Sequence, residues 1–594
     1  MLASFLKRLL HRSAALSPQN WIDEALRLRA LGRHRELAAL CDAVLAREPA
    51  NLDALSFRAS ALLAQGRTRE GVANLRRATE LAPRSADAHA SLAAVLAAAG
   101  DPEGAADAYR RALDLRPDDI EVRLEFAALL KALGQYDDLE ACCRAGLGSS
   151  PRHAGLQHAL AGALFEQGRV DEAIAEVRAA LALNPNASAV HSDLLRMLNY
   201  ADAQDPAAVY REHRAWDARH AAALTASAPH ANPPDPARRL RIGYVSPYFR
   251  KHAVTFFLEA LIEHHDRERF EVMLYADVAQ PDDYSQRLQD HGAQWRSTVG
   301  MSDEELARLV RADAVDILVD LSGHTPGHRL LAFARRPAPL QVTWNGYPNT
   351  TGMSAMDLRI TDAHCDPEGA TEHLHSEKLV RLPRIYMAWR PPADAPEVAP
   401  PPALAAGHVA FGSFNSCYKL TPRLIALWSR LLARVPQSRL MLLTVGAGAA
   451  ERRVRDLFAQ NGIAQDRIEL VPRVTHEEFL AAHARADIAL DSFPYHGTTT
   501  TCFSLWMGVP VVTLAGAVHA SRVGVSLLTN LGAPEWIARD EEDYVEIAAR
   551  LAGNPSGLAE LRSGLRDRMR RSPLTDGKSF ARDFENALRV MRSA

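Results

Sequence analysis

Three short segments of this chain carry side chains suited to moving a phosphate-linked group. In ALDSFPYHGTTTTCFSLWMGVPVVTLAG (489–516) a strand runs to about Asp491, a loop carries Gly497, and Thr498, Thr499, Thr500 and Thr501 lead into a helix. Free N–H groups and the dipole at a helix N-terminus favour an anion, and the hydroxyls suit a diphosphate. The plainer reading is one threonine as helix cap and three as loop residues. In FGSFNSCYKLTPRLIALW (411–428), Lys419 follows a strand and precedes a helix opened by Thr421-Pro422. A lysine there can neutralise charge building on a departing diphosphate, or it is a solvated surface group. In YVSPYFRKHAVTFF (244–257), His252 lies between a strand and a helix. It is placed to accept a proton, or equally to cap that helix.

A fourth stretch, DLSGHTPGHRLLAFARRPAPLQVTWNGYPNTTG (320–352), puts Gly323, His324, Gly346, Tyr347 and Pro348 just past strand ends. These are candidates for lining a cleft, although its glycines also suit tight turns. No DxD, HExxH or Cys/His cluster with ligand spacing is present, so no metal site and no cofactor are expected.

The elements that must position these residues follow from the pattern. From residue 240, short apolar runs (LRIGYVS, FEVMLYAD, DILVDLSG, LQVTW, then VAFGSFN, RLMLLTVG, IELVP, IALD, VVTLAG) alternate with helical stretches. That alternation implies parallel βαβ units. The proline-rich run 391–407 interrupts it, giving two doubly wound, Rossmann-like lobes: an N-terminal lobe at 239–395 and a C-terminal lobe with terminal helices at 404–594. Ligands in such sheets bind at the carboxyl ends of strands, so the cleft between the lobes is the expected site.

Ahead of the lobes the chain is ruled at intervals of 34. Gly32, Gly66, Gly100, Gly134 and Gly168 keep that step, as do Pro49, Pro83, Pro117, Pro151 and Pro185, and Ala25, Ala59, Ala93, Ala127 and Ala161. The period is that of the tetratricopeptide helix pair, predicting an all-α superhelix of five repeats over 18–187 that holds an extended peptide or another protein. Residues 188–238 continue as a helical extension and a proline-bearing linker.

Composition narrows the class. A formal net charge of −3 supplies no basic field for nucleic acid. Six cysteines without CxxC spacing suit free thiols in a reducing compartment. The start, MLASFLKRLLHRS, reads as an amphipathic lead-in, and no stretch reaches the roughly 20 apolar residues of a membrane span. A cytoplasmic protein is expected.

Taken together, the repeat array, RIGYVSPYF, GHT, RRPAPLQVTWNGYPNTTG, FGSFNSCYK and DSFPYHGTTTTC…LWMGVPVVTLAG resemble the O-GlcNAc transferase/SPINDLY family over residues 18 to about 590. The resemblance implies an inverting, metal-independent glycosyltransferase of the two-lobed GT-B type. It would move GlcNAc from UDP-GlcNAc to Ser/Thr hydroxyls of proteins recruited by the repeats. It also implies roles. His252 matches an acceptor-side histidine and Lys419 the lysine that steadies the donor diphosphate. Asn415, Ser416, Lys419, Gly497, Thr498, Thr499, Thr500, Thr501 and Arg522 form the donor-binding set. Thr498 and the FPYHGTTTTC wording are closer to SPINDLY-type members, which can use GDP-fucose, so that donor is the alternative. Family members place at the Phe503 position an acidic residue that contacts the ribose. Phe503 cannot accept those hydrogen bonds, which leaves a second alternative, a repeat scaffold with an impaired transferase region. Tighter nucleotide binding by Phe503→Asp would show that the pocket survives in outline.

Overall fold

Helix ends in the repeats are written in the sequence. In the computed structural model, which describes residues 20–203, 205–225, 229–233, 235 and 238–593, the array consists of paired helices. They are α1 (Asn20–Ala30), α2 (His34–Arg47), α3 (Leu52–Ala64), α4 (Thr68–Leu81), α5 (Ala86–Ala99), α6 (Pro102–Leu115), α7 (Ile120–Leu133), α8 (Tyr136–Ser149), α9 (Ala154–Glu166) and α10 (Val170–Leu183). All five register glycines stand between paired helices with φ from 68° to 80°, a left-handed conformation that costs glycine little. The register prolines follow the second helix of each pair, where the ring forbids a further turn. Side chains close the other ends: Asn51 accepts from Ala54 N at 3.0 Å and Asp119 from Val122 N at 3.1 Å. The register alanines are all buried, so a larger side chain would overpack the helix pair by about 1–3 kcal/mol. The lead-in at 1–13 lies outside the described residues.

The chain divides into two compact units, and the division falls inside the fifth repeat. One unit runs to Leu164 and includes Arg178–Leu183; the other comprises Phe165–Val177 and everything from Asn184. The end of α9 and the start of α10 therefore pack with the second unit, as do α11 (Ser188–Leu198) and α12 (Pro206–Trp216).

The first lobe of the second unit alternates β1 (Leu240–Ser246), α13 (Thr255–His264), β2 (Phe270–Ala276), α14 (Asp283–Asp290), β3 (Gln294–Ser297), α15 (Asp303–Ala312), β4 (Ile317–Asp320), α16 (Leu330–Ala334), β5 (Leu340–Thr343), β6 (Leu358–Asp362) and β7 (Lys378–Leu382). Its sheet is parallel in the order β3-β2-β1-β4-β5-β6-β7, with Ile242 opposite both Val272 and Ile317. The second lobe runs α17 (Ala403–Ala406), β8 (Ala410–Ser413), α18 (Pro422–Arg434), β9 (Arg439–Leu443), α19 (Ala449–Gln460), β10 (Ile468–Val471), α20 (His476–Ala482), β11 (Ile488–Leu490), α21 (Thr499–Trp506), β12 (Val511–Leu514), α22 (Val523–Leu531), β13 (Ile537–Ala538), α23 (Glu541–Ala552) and α24 (Pro555–Arg570). Its order, β10-β9-β8-β11-β12-β13, is again parallel. The strand order reverses between β1 and β4 in one lobe and between β8 and β11 in the other. Those switch points are where such sheets open a ligand crevice.

One expectation needs correcting. The sequence assigned 404–594 wholly to the second lobe, yet the last helix, α25 (Gly577–Ser593), packs on the first. Phe580 and Phe584 lie 5.7 and 5.1 Å from Trp344, and His265 Nδ1 donates to Glu585 Oε1 at 2.7 Å. The apolar face of α25 finds its partner in α13 and Trp344, a choice that helical periodicity alone does not reveal. Among the described residues no helix is long and apolar enough to cross a membrane.

Candidate active site

Two turns at the second lobe's switch point are tied into one cradle. After β8, a short 3-10 turn at Cys417–Lys419 carries Lys419 inward, where it is buried. Its Nζ donates to Asn415 Oδ1 at 3.1 Å and to His496 O at 2.7 Å. After β11, Gly497 N donates to Asp491 Oδ1 at 2.7 Å, and Thr500 Oγ1 donates to the same Asn415 Oδ1 at 3.0 Å. Gly497 is needed there. A Cβ on it would lie 2.4 Å from Thr500 Oγ1 and 2.8 Å from Thr501 Oγ1, inside contact distance. Burial pushes the Lys419 ammonium down to about 8, against the attraction of Asp491.

The threonines do not behave as simple caps. Thr498 holds the N-cap position of α21 without a side-chain cap bond. Thr501 Oγ1 bonds back to Gly497 O at 3.1 Å, and Cys502 N is the donor to Thr498 O. No side chain caps the first helical turn, whose Thr500 shares Asn415 Oδ1 with the Lys419 ammonium, an arrangement suited to an anion. Ser416 caps the Cys417–Lys419 turn through its carbonyl, which accepts from Lys419 N at 2.9 Å.

Sequence reasoning missed two supports. Asp491 braces the loop: its Oδ1 also accepts from Ser492 N at 2.9 Å and its Oδ2 from Thr513 Oγ1 at 2.8 Å. His496 accepts from Gly524 N at Nδ1 (3.0 Å), so its Nε2–H is the donor to Leu514 O at 2.9 Å. Their signal was position alone, at a strand end and immediately before Gly497.

In the first lobe His252 follows β1, also at a switch point. Its ring stacks on Tyr248 at 3.9 Å, and its Nδ1 receives a long 3.3 Å contact from Val254 N. Burial, reinforced by Arg250, pushes its pKa down to about 4, so the ring is neutral at physiological pH and only weakly basic. Phe256 on α13 and Phe503 on α21 meet with ring centroids 5.3 Å apart. The helices that follow the His252 loop and the 497–501 turn are therefore in contact.

The acceptor-side candidates fare differently. His324 is fully buried, with Ser192 Oγ 3.0 Å from Nδ1 and Thr351 O 2.8 Å from Nε2. Tyr347 is also buried; its hydroxyl lies 2.8 Å from Asn199 Nδ2, 2.9 Å from His213 Nε2 and 3.1 Å from Leu195 O. Both residues fasten α11 and α12 to the first lobe, with their polar atoms already engaged, and neither is available to an acceptor. Gly323 and Gly346 permit that fastening: a Cβ would lie 2.3 Å from Tyr347 Cβ or 1.8 Å from Leu321 O. Pro348, in the same loop, remains half-buried. Arg522 likewise makes structural contacts, donating to His364 O of the first lobe at 2.8 Å and to Gly516 O of its own lobe at 2.9 Å.

Phe503 is not the rim of an open pocket. It is buried among Phe256, Trp389, His476 and Phe479, with centroids 5.3 to 5.7 Å away. This aromatic seam joins the lobes, and an aspartate inside it would bury an uncompensated charge. Restoring a carboxylate there is thus expected to loosen the fold rather than tighten nucleotide binding.

Known proteins resemble this chain in sequence and fold. The family model described as glycosyl transferase family 41 matches residues 218–389 and 402–584, and two tetratricopeptide-repeat models match 58–120 and 90–226. A Petunia hybrida protein named as a probable UDP-N-acetylglucosamine–peptide N-acetylglucosaminyltransferase SPINDLY is 41% identical over 404 residues, 67% of this chain and 43% of that one. Its Hordeum vulgare namesake is 43% identical over the same length and the same shares. The chain spans about two fifths of the length of these curated relatives, 43% in both cases. A solved mutant of the Thermobaculum terrenum O-GlcNAc transferase is 39% identical, with a TM-score of 0.80 over 86% of this chain and 97% of that one. With its repeats, its two parallel-sheet lobes and a family model matched across both of them, the chain belongs to glycosyl transferase family 41.

Proposed function

We propose that the chain is a protein O-glycosyltransferase that moves GlcNAc from UDP-GlcNAc to Ser or Thr hydroxyls of proteins brought in by the repeats. The observation that carries this is the cradle in which Lys419 and the N-terminus of α21 share Asn415. It offers a buried cation and unspent N–H groups to one anionic leaving group. In the proposed step the acceptor oxygen bonds to the anomeric carbon from the face opposite the diphosphate, and the anomeric C–O bond breaks. The electron pair passes to the diphosphate oxygen, where Lys419 and the helix end meet the charge. Configuration inverts, and the reading needs no metal. His252, neutral at pH 7, accepts a hydrogen bond from the acceptor hydroxyl and orients it. The proton passes on to the departing phosphate or to water, because a group with a pKa of about 4 holds it weakly.

Purified protein supplied with labelled UDP-GlcNAc and GDP-fucose tests the reading. Cleavage of UDP-GlcNAc, with label passing to protein, is the expected result. Cleavage of GDP-fucose alone would reassign the donor. The closed aromatic seam at Phe503 favours a second reading, a repeat scaffold without turnover; it predicts that neither donor is cleaved and that neither UDP nor GDP binds.

A further inference from the structure

The cradle is lined on one side by a stack of aromatic rings that runs out to the last repeat. Lys419 Nζ sits 4.6 Å from the centroid of Tyr495. Tyr495 lies flat on Tyr200 at the end of α11, with centroids 4.3 Å apart and planes 7° from parallel. Tyr200 meets Tyr418 edge-on at 5.1 Å and Phe165 at 5.3 Å. Phe165, in α9, stacks on Tyr418 at 4.7 Å, and the Arg196 guanidinium covers Phe165 at 4.5 Å. Tyr418 immediately precedes Lys419, and Tyr495 immediately precedes His496, whose carbonyl holds the ammonium. The same repeat approaches through its turn: a Cβ on Gly168 would lie 3.0 Å from Cys417 O and 2.8 Å from Arg453 Nη1. Arg453 in turn donates to Leu420 O at 2.8 Å. Rings and turn thus enclose the Cys417–Lys419 segment from two sides, within one compact unit.

Two of the ammonium's three donors are spent on Asn415 and His496. The face of Tyr495 restricts where the remaining positive charge points. An aromatic face attracts a cation more strongly once water is excluded, and Lys419 is buried.

We propose that Tyr495 is a positioning residue for Lys419, its ring face seating the ammonium toward the diphosphate, and that Tyr200, Tyr418 and Phe165 carry the fifth repeat into that seat. This rests on the reading of Lys419 as the cation that meets the leaving group. The groups that face Lys419 are Asp491, which attracts it across the β11 loop, and His496, which gives its carbonyl while its ring turns to Leu514. Tyr418 flanks it on its own turn, Tyr200 just past α11 backs Tyr495, and Arg196 on α11 covers Phe165 at the far end of the stack. A ring face favours the charged lysine, so its loss moves the lysine's deprotonation to lower pH.

UDP-GlcNAc cleavage by the full chain, followed against pH, tests this with Tyr495→Leu, Tyr495→Phe, Phe165→Leu and Lys419→Ala. Tyr495→Leu is expected to lower kcat about 3- to 30-fold with a smaller change in KM, and to shift the alkaline limb down by about half a unit to one and a half. Tyr495→Phe, which keeps the face, recovers most of that loss. Phe165→Leu shifts the limb in the same direction by less. If Tyr495→Leu loses the wild-type melting transition, Phe165→Leu decides, since it touches neither the lysine nor the 497–501 turn. A Tyr495→Leu profile identical to wild type, or equal losses in the Leu and Phe variants, overturns the seat. Wild-type cleavage by Lys419→Ala would instead remove the reading of Lys419 itself.

Discussion

In the second lobe, Lys419, Asn415, Thr500, Gly497 and Asp491 are joined by hydrogen bonds of 2.7 to 3.1 Å. In the first, His252 has one stacked tyrosine and a 3.3 Å contact. One side of the cleft is preorganised for an anion, while the other carries a histidine too acidic to act as a strong base. Groups fixed around a developing charge need no reorganisation during reaction, so in the proposed reaction stabilisation of the leaving group outweighs proton removal.

The largest expected effect is that of Lys419→Ala, which should reduce kcat for donor cleavage by about 10²- to 10³-fold, read from initial rates at saturating UDP-GlcNAc. A change under threefold would erase the contrast between the lobes. Phe503→Asp is the next test, and it addresses the seam rather than the cradle. Losing the ring and burying a carboxylate should cost about 3–5 kcal/mol of stability, seen as a lower denaturant midpoint. An unchanged midpoint together with tighter UDP binding would mean that the seam opens to the nucleotide. Gly497→Ala should follow, since its Cβ meets the Thr500 hydroxyl at 2.4 Å. Overpacking of about 1–3 kcal/mol should appear as a lower denaturant midpoint, together with a raised KM for UDP-GlcNAc because Thr500 and Thr501 must move. The smallest effect belongs to His252→Asn. With a pKa of about 4 the imidazole is already neutral above pH 5, so the variant should lose less than about tenfold in kcat and leave the acid side of the rate profile above pH 5 unmoved. A lost limb near pH 6 to 7 would restore His252 as a general base.

These outcomes bear on what the sequence could tell. The repeats were legible because their demands are local: a left-handed φ at Gly32 or Gly100 is needed whatever the neighbours are. The cradle was nearly as legible, since Lys419 and Gly497 stand at strand ends next to helix starts, and parallel sheets bring such ends together. Residues whose role depends on distant partners were misread. His324 and Tyr347 also follow strand ends, but α11 and α12 return from more than a hundred residues earlier to occupy them. Phe503 read as a missing carboxylate because nothing local announces Phe256, Trp389 and Phe479 around it. The crossing of α25 back to the first lobe was hidden in the same way. So was the fifth repeat's double membership, with Phe165 on Tyr418.

The central claim is that the Lys419 cradle grips a nucleotide diphosphate, and calorimetric titration of UDP into the wild type and Lys419→Ala at pH 7 tests it most directly. The account predicts saturable binding by the wild type, weakened by about 10-fold or more in the variant, the loss expected of a charged hydrogen-bonding partner. Equal affinities for the two proteins, or no binding by either, would contradict it.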